Sequence, residues 1–173
     1  MRPSRWLYRA RQGLTRLAVA LRPGALDESP ARQRLSPQAW ALFARMAPGD
    51  RAHALCVLAR LEARGPVAPW LAQAALLHDV GKSEGRLTLP HRAAIVLLGA
   101  RLPRWASTDP ASWRYPFHVH LRHARRGAEL CAQAGCDPRA VALVRWHEAP
   151  PDAGVKDTLR DALDALRAAD DRC

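Results

Sequence analysis

The segment LLHDVGK, residues 76–82, contains the chain's densest group of chemically active side chains. It ends an apolar run, where a buried aspartate such as Asp79 is costly unless it is paired or binds a metal ion. Imidazole and carboxylate groups together suit Mn, Fe, Co, Ni or Zn. Lys82 follows closely enough to hold a phosphate oxygen beside such a metal. The segment is therefore compatible with metal-assisted chemistry on a phosphate, although His78-Asp79 alone would better fit a helix-end ion pair.

Further potential ligands continue the buried faces of other predicted helices. His147 extends the apolar row that includes Val144, and Asp170 extends the stripe that includes Leu166. An acidic residue at the end of an apolar stripe needs a partner, and a metal is one. Each histidine taken singly would also fit a core or surface position. The candidate ligands are His53, His78, Asp79, His123, His147 and Asp170.

These six side chains come from five predicted helices. Helical di-metal sites likewise gather their ligands from several helices. Two metals about 3.5–4 Å apart, bridged by one carboxylate and a water, can hold a phosphate and ionise the attacking water. Asp79 is the natural bridging carboxylate. The ligand set predicts one or two divalent transition metals per chain.

The amino-acid composition and the positions of proline and glycine predict the helices that must position these ligands. Ala and Leu dominate, and β-branched and aromatic residues are sparse, which predicts an all-α fold of about 6–8 helices. Gly81 is expected to allow a left-handed helix exit. Residues 102–116 hold three prolines and are expected to form a loop or short turns. Helices are predicted at about 37–46, 50–64, 67–79, 90–101, 117–134, 138–148 and 155–170.

The N-terminal region predicts a separate basic element. Residues 4–21 form an amphipathic helical pattern, and 23–33 resemble a linker, so the chain divides into 1–35 and 36–173. The net charge of +11 favours anionic partners. The helix either packs on its own domain or contacts an anionic membrane or nucleic acid. Its apolar run is too short and too interrupted to be a signal peptide or a membrane span.

The four cysteines form no CxxC pair. In a chain of this size they predict free thiols in a reducing compartment, with Cys56 and Cys131 in the core. A cytoplasmic protein, with peripheral membrane contact as an alternative, is the corresponding expectation.

With these motifs in place, the chain resembles the HD superfamily of metal-dependent phosphohydrolases over residues 37–171. Their pattern of His, His-Asp and a distant Asp is matched by His53, by His78-Asp79 in LLHDVGK and by Asp170 in LRAAD. The resemblance implies an HD-domain helical bundle around a metal site and hydrolysis of phosphoesters, EC class 3.1. Asp79 would orient the attacking water and Lys82 would stabilise developing charge.

Two further segments resemble the HD-GYP-type phosphodiesterases. The segment HARRGAEL at 123–130 is similar to their HPxxGAxxL, and VRWHE at 144–148 is similar to their segment ending in two histidines. In that subgroup the extra histidines, here His123 and His147, hold a second metal. Ala124 replaces the proline, Glu148 replaces the second histidine, and the GYP tripeptide is absent. Small HD proteins that split dinucleoside polyphosphates, and stand-alone HDIG proteins, share the same pattern.

Three functions stay open at this point. The first is hydrolysis of a phosphomonoester or phosphodiester bond in a nucleotide-like substrate. The second is a cyclic dinucleotide phosphodiesterase. The third, from another class, is a non-catalytic module that docks on nucleic acid or membrane through its basic N-terminal helix. Three other histidines fall outside the ligand pattern and are expected at the surface or a pocket rim: His91, His118 and His120.

Overall fold

A computed structural model describes residues 26–151 and 157–173. These residues form an all-α structure, which confirms the predicted fold class. The described ranges contain nine α-helices, two of them short, together with two 3-10 segments at Val80–Glu84 and Gly99–Arg101. The α-helices are α1 (Ser29–Arg34), α2 (Pro37–Ala44), α3 (Pro48–Glu62), α4 (Pro69–Leu77), α5 (Leu89–Leu98), α6 (Leu102–Trp105), α7 (Tyr115–Gln133), α8 (Pro138–Trp146) and α9 (Asp157–Asp170).

Proline and capping side chains set most helix starts. The Ser36 hydroxyl accepts a hydrogen bond from the Ala39 N–H at 3.3 Å, and Pro37 occupies the first helical position of α2. The Asp137 carboxylate likewise accepts from the Arg139 N–H at 2.8 Å before α8. Such caps satisfy the N–H groups that a helix start leaves without partners. These local signals explain why the predicted helix positions agree with the structure to within a few residues.

The linker predicted at 23–33 is wrong in its second half, because α1 begins at Ser29. Ala31 and Leu35 are buried in the core, and Arg51 Nε donates to Glu28 Oε1 at 2.7 Å. A six-residue helix of this kind is stabilised by its packing and gives little periodic signal. The predicted amphipathic helix at 4–21 lies outside the described residues. Within the described ranges, no helix combines the length and apolarity needed to cross a bilayer.

Helix α4 forms the centre of the bundle. Its C-terminal half is buried, and it packs against α3, α8 and α9. Helix α7 packs along α8 and along the 3-10 segment Val80–Glu84. All five elements that carry predicted ligands therefore converge where α4 ends.

Gly81 follows α4 at a point where two backbones touch. The prediction of a left-handed helix exit is wrong, because the chain continues into the 3-10 segment. Among the residues that the structure describes, the positive-φ glycines are Gly65, Gly99 and Gly135. A Cβ at Gly81 would meet the His123 carbonyl oxygen and would lie 2.8 Å from the Gly127 nitrogen. Glycine is therefore required for close approach and not for its φ angle.

We expect Gly81→Ala to lower the free energy of unfolding by about 3 kcal/mol, because the new methyl group must push a backbone away. In the matched variant Gly127→Ala, the nearest atoms lie at 3.2 Å and beyond, two of them on valine side chains. The helix propensity of alanine offsets that strain, so a loss below about 1 kcal/mol is expected. Urea denaturation measures both values, and equal stability of the two variants would contradict this account.

The prediction that all four cysteines are free thiols is also wrong. Cys56 on α3 and Cys173 after α9 form a disulfide across 117 positions of sequence. Helix α9 packs on α3 and brings the chain's last residue to that helix, a proximity that residue spacing does not reveal. Cys131 and Cys136 are free and buried, as predicted for Cys131.

Candidate metal centre

The structure brings all six predicted ligands together. His53 lies on α3, His78 and Asp79 at the end of α4, and His123 on α7. His147 lies at the end of α8 and Asp170 ends α9. The four histidines and Asp79 are buried, whereas the Asp170 side chain is 31% exposed. Five elements thus deliver their ligands to one point.

One part of the centre, which we call the first trio, consists of His53, His78 and Asp79, whose ligand atoms all lie within 4.8 Å of one another. Asp170 lies beside it, with Oδ1 2.7 Å from His53 Nε2 and 3.7 Å from His78 Nε2. These four residues match the His, His-Asp and distant Asp of the sequence pattern.

The second trio consists of Asp79, His123 and His147, again with all ligand atoms within 4.8 Å. Asp79 Oδ1 lies 3.3 Å from His123 Nε2 and 3.7 Å from His147 Nε2. Its other oxygen, Oδ2, lies 3.6 Å from His78 Nε2. Asp79 therefore turns one oxygen toward each trio, which is the placement of a bridging carboxylate.

Backbone carbonyl groups orient three of the four imidazole rings. The Nδ1 atoms of His78, His123 and His147 lie 3.0, 2.6 and 2.7 Å from the carbonyl oxygens three residues earlier in the chain. When Nδ1–H donates to that oxygen, the lone pair of Nε2 points into the centre. This is the usual way in which a metal-binding histidine is held in the required tautomer.

His78 Nε2 is a buried nitrogen that has no hydrogen-bond partner among the described residues, which leaves its lone pair available to a metal ion. Carboxylate oxygens of Asp79 and Asp170 lie 3.6 and 3.7 Å away, beyond hydrogen-bonding distance. Ligand atoms about 2 Å from one metal lie about 3–3.5 Å from each other. The spacing and the donor types fit a divalent cation.

Burial and neighbouring charges prepare these groups for metal binding. Burial lowers the pKa of His78 to about 4, although Asp79 and Asp170 oppose the shift. Burial alone would raise the pKa of Asp79, but Lys82 and His78 lower it well below its usual range. Burial of Asp170 is likewise outweighed by its hydrogen bond with His53, which lowers its pKa. Neutral imidazole and ionised carboxylate are the forms that coordinate metal.

The shift at His78 predicts acid sensitivity of the metal-free protein. An unfolded histidine titrates near 6.5, so between pH 6.5 and 4 the unfolded chain binds a proton that folded His78 does not. The free energy of unfolding is therefore highest above pH 6.5 and falls as the pH drops, by about 3 kcal/mol from His78. Urea denaturation of chelator-treated protein across this range measures the slope. His78→Gln should reduce the slope by about half, because His120, whose pKa is also lowered to about 4, keeps its share. An unchanged slope would disprove the assignment to His78.

Lys82 contacts a predicted ligand of the centre directly. Its Nζ donates to Asp79 Oδ2 at 2.6 Å, and its side chain is 10% exposed. Lys82 therefore helps to keep the bridging carboxylate ionised. Whether it also binds a phosphate oxygen stays a prediction.

Two residues outside the predicted ligand set also border the centre. The His120 ring stacks on His123, with ring centroids 5.6 Å apart and 17° between the planes. Burial, Lys82 and His123 lower the pKa of His120 to about 4. Glu148 Oε1 lies 3.6 Å from His123 Nε2 and stands at the exposed edge. The sequence did carry a signal for His120, which lies one helical turn before His123.

The other two histidines have local roles. His91 Nδ1 lies 2.6 Å from the Thr88 hydroxyl at the start of α5, and its Nε2 lies 2.8 Å from the Trp113 carbonyl oxygen. His118 stacks on Tyr115 away from the ligands. Neither residue takes part in the metal centre.

The fold and the site together define an all-α protein with a buried His/Asp cluster that can hold metal ions. No protein-family model, curated protein or solved structure matches the chain. We therefore infer its function from the geometry of the centre.

Proposed function

We propose that this protein is an HD-type metal-dependent phosphohydrolase that cleaves a phosphomonoester or phosphodiester bond of a nucleotide-like substrate. The observation that carries the proposal is the placement of Asp79, whose two oxygens face the two trios. A bridged pair of cations is the arrangement that aligns an attacking water with a phosphate ester. A mononuclear centre in the first trio is the simpler form of the same site.

The residues of the chain have separate roles in this proposal. The first trio with Asp170 would hold one cation and the second trio the other, supplying charge stabilisation and water activation at phosphorus. Lys82 holds the Asp79 carboxylate in its ionised form. The partly exposed Asp170 and the exposed Glu148 mark the solvent-facing edge through which a substrate would enter. The net charge of +11 attracts phosphorylated compounds.

Metal analysis combined with hydrolysis assays tests the proposal. Purified protein should contain one or two equivalents of Mn, Fe, Co, Ni or Zn, and should hydrolyse members of a panel of nucleoside mono-, di- and polyphosphates and cyclic nucleotides. Dialysis against a chelator should abolish the activity, and readdition of metal should restore it. A protein that takes up metal but cleaves no phosphoester in the panel would overturn the enzymatic proposal while leaving the metal centre intact.

A second candidate is cyclic dinucleotide phosphodiesterase activity. It is favoured by the position of His123 and His147, which both face Asp79 and would complete a second cation site. Two metals per chain and cleavage of a cyclic dinucleotide would support this candidate. One tightly bound metal per chain under anaerobic, metal-replete conditions would count against it.

Docking on a membrane or nucleic acid through residues 4–21 stays a prediction from sequence. Deletion of residues 1–22 tests it by liposome and nucleic-acid binding, and unchanged binding would remove the helix from the account.

A further inference from the structure

A cleft lies on the side of α7 that faces the 3-10 segment Val80–Glu84. Its volume is about 350 Å³, and none of its lining residues is a ligand of the metal centre. The side chains that matter for its chemistry come mainly from one stripe of α7. They are Glu84, Tyr115, His118, Arg122, Arg125 and Arg126.

Arg126 is fixed in place and supports the cleft wall. Its Nε lies 2.8 Å from both Glu84 oxygens, and its Nη1 lies 3.0 Å from Glu129 Oε2. The bonds to Glu84 join α7 to the 3-10 segment across 42 positions of sequence. Since Arg126 is already paired, it contributes shape more than free binding capacity.

Arg122 and Arg125 supply the free binding capacity. Within the described residues the Arg122 side chain makes no hydrogen bond or ion pair. Arg125 uses only its Nε, in a 3.3 Å contact with Glu129 Oε1. The cleft therefore presents two guanidinium groups with unpaired N–H donors, and such groups bind phosphate oxygens in pairs.

The aromatic part of the lining adds a flat surface. The Tyr115 and His118 rings are stacked, with centroids 6.0 Å apart and 26° between their planes. His118 lies about one turn and Tyr115 about two turns before Arg122 on the same stripe of α7. Rings next to free guanidinium groups are the combination that binds a base by stacking and a phosphate by charge.

We propose that this cleft is a second binding site, separate from the metal centre, for a phosphorylated aromatic compound the size of a mononucleotide. Its three guanidinium groups outnumber its two carboxylates, which gives it a positive balance for an anion. The cleft volume of about 350 Å³ lies at the small end of the range for ligand pockets, which suits a compound of mononucleotide size. The site is built without any residue of the proposed hydrolytic centre, so it does not rest on the proposed function.

Calorimetric titration of the purified protein tests the site with probes that resist hydrolysis. The probes are the methylene phosphonate analogue of AMP, methylphosphonate, which lacks the nucleoside, and adenosine, which lacks the anion. The AMP analogue should bind at least about tenfold more tightly than either half, because only it uses both the rings and the guanidinium groups. Equal affinity for the analogue and methylphosphonate would overturn the proposal.

A pair of charge-matched variants then locates the binding. Arg122→Gln should weaken binding of the AMP analogue by at least about tenfold, since it removes the unpaired guanidinium. Arg60→Gln, on the exposed side of α3, removes the same charge away from the cleft and should change the affinity less than about twofold. Binding that Arg122→Gln leaves unchanged would belong to the metal centre and would disprove the second site. The titration measures binding and not hydrolysis, so the cleft site and the proposed phosphohydrolase function can each fail independently.

Discussion

Asp79→Asn is expected to remove both metal retention and hydrolysis. The substitution takes the negative charge and one acceptor oxygen from the residue that faces both trios. Loss of groups that merely support a ligand costs about 10–100-fold in metal affinity, so loss of the bridging carboxylate should cost at least about 100-fold. The hydrolytic rate should fall by at least about a thousandfold, because the charge stabilisation that a metal supplies is worth several kcal/mol.

The measurements are metal content after gel filtration and turnover of the best substrate in the nucleotide panel. Asp164→Asn is a matched control, because this side chain is 78% exposed on α9 and faces away from the centre. Near-ultraviolet circular dichroism checks that both variants are folded. If folded Asp79→Asn keeps its metal and its activity, Asp79 is not a bridging ligand and the proposed mechanism is wrong.

The double variant Cys56→Ser/Cys173→Ser is expected to lose about 4 kcal/mol of unfolding free energy. The disulfide closes a loop across 117 positions, and a cross-link over so long a loop greatly reduces the conformational entropy of the unfolded chain. Metal affinity should fall as well. Cys56 follows His53 by one turn, and Cys173 follows Asp170 by three residues, so the cross-link holds this ligand pair together.

Urea denaturation with and without a thiol reductant measures the effect. The reductant should destabilise the wild-type protein by about the same amount as the substitutions, and should leave the double variant unchanged. Two results together would show that the cross-link is absent in solution. The stability of the wild-type protein would not respond to the reductant, and an alkylating reagent would modify both Cys56 and Cys173 in the folded, unreduced protein.

The fold was largely predictable because its signals are local. Proline at the first turn, the Ser36 and Asp137 caps and the apolar stripes located most helices of the described ranges. The ligand set was predictable for a related reason. Asp170 stands at the end of an apolar stripe, and a charge in such a position needs a partner that the fold must supply.

The features that escaped prediction depend on distant neighbours. The Cys56–Cys173 bond and the role of Gly81 arise from contacts between elements far apart in sequence. The cleft beside α7 is lined by Glu84 and Arg126, which join two elements that are distant in sequence. Tertiary packing brings these distant residues together, and the spacing of residues within one helix carries no information about it.

His78 and His147 each cap the C-terminal end of a helix, α4 and α8. The partial negative charges of two helix dipoles therefore point at the same place as two carboxylates. Lys82 offsets only one of these negative charges, so without a cation this corner of the molecule disfavours a bound anion. Under the proposed function, we therefore expect a compulsory order of binding, in which a phosphate ester would bind only after these ligands hold a cation that offsets the negative charge.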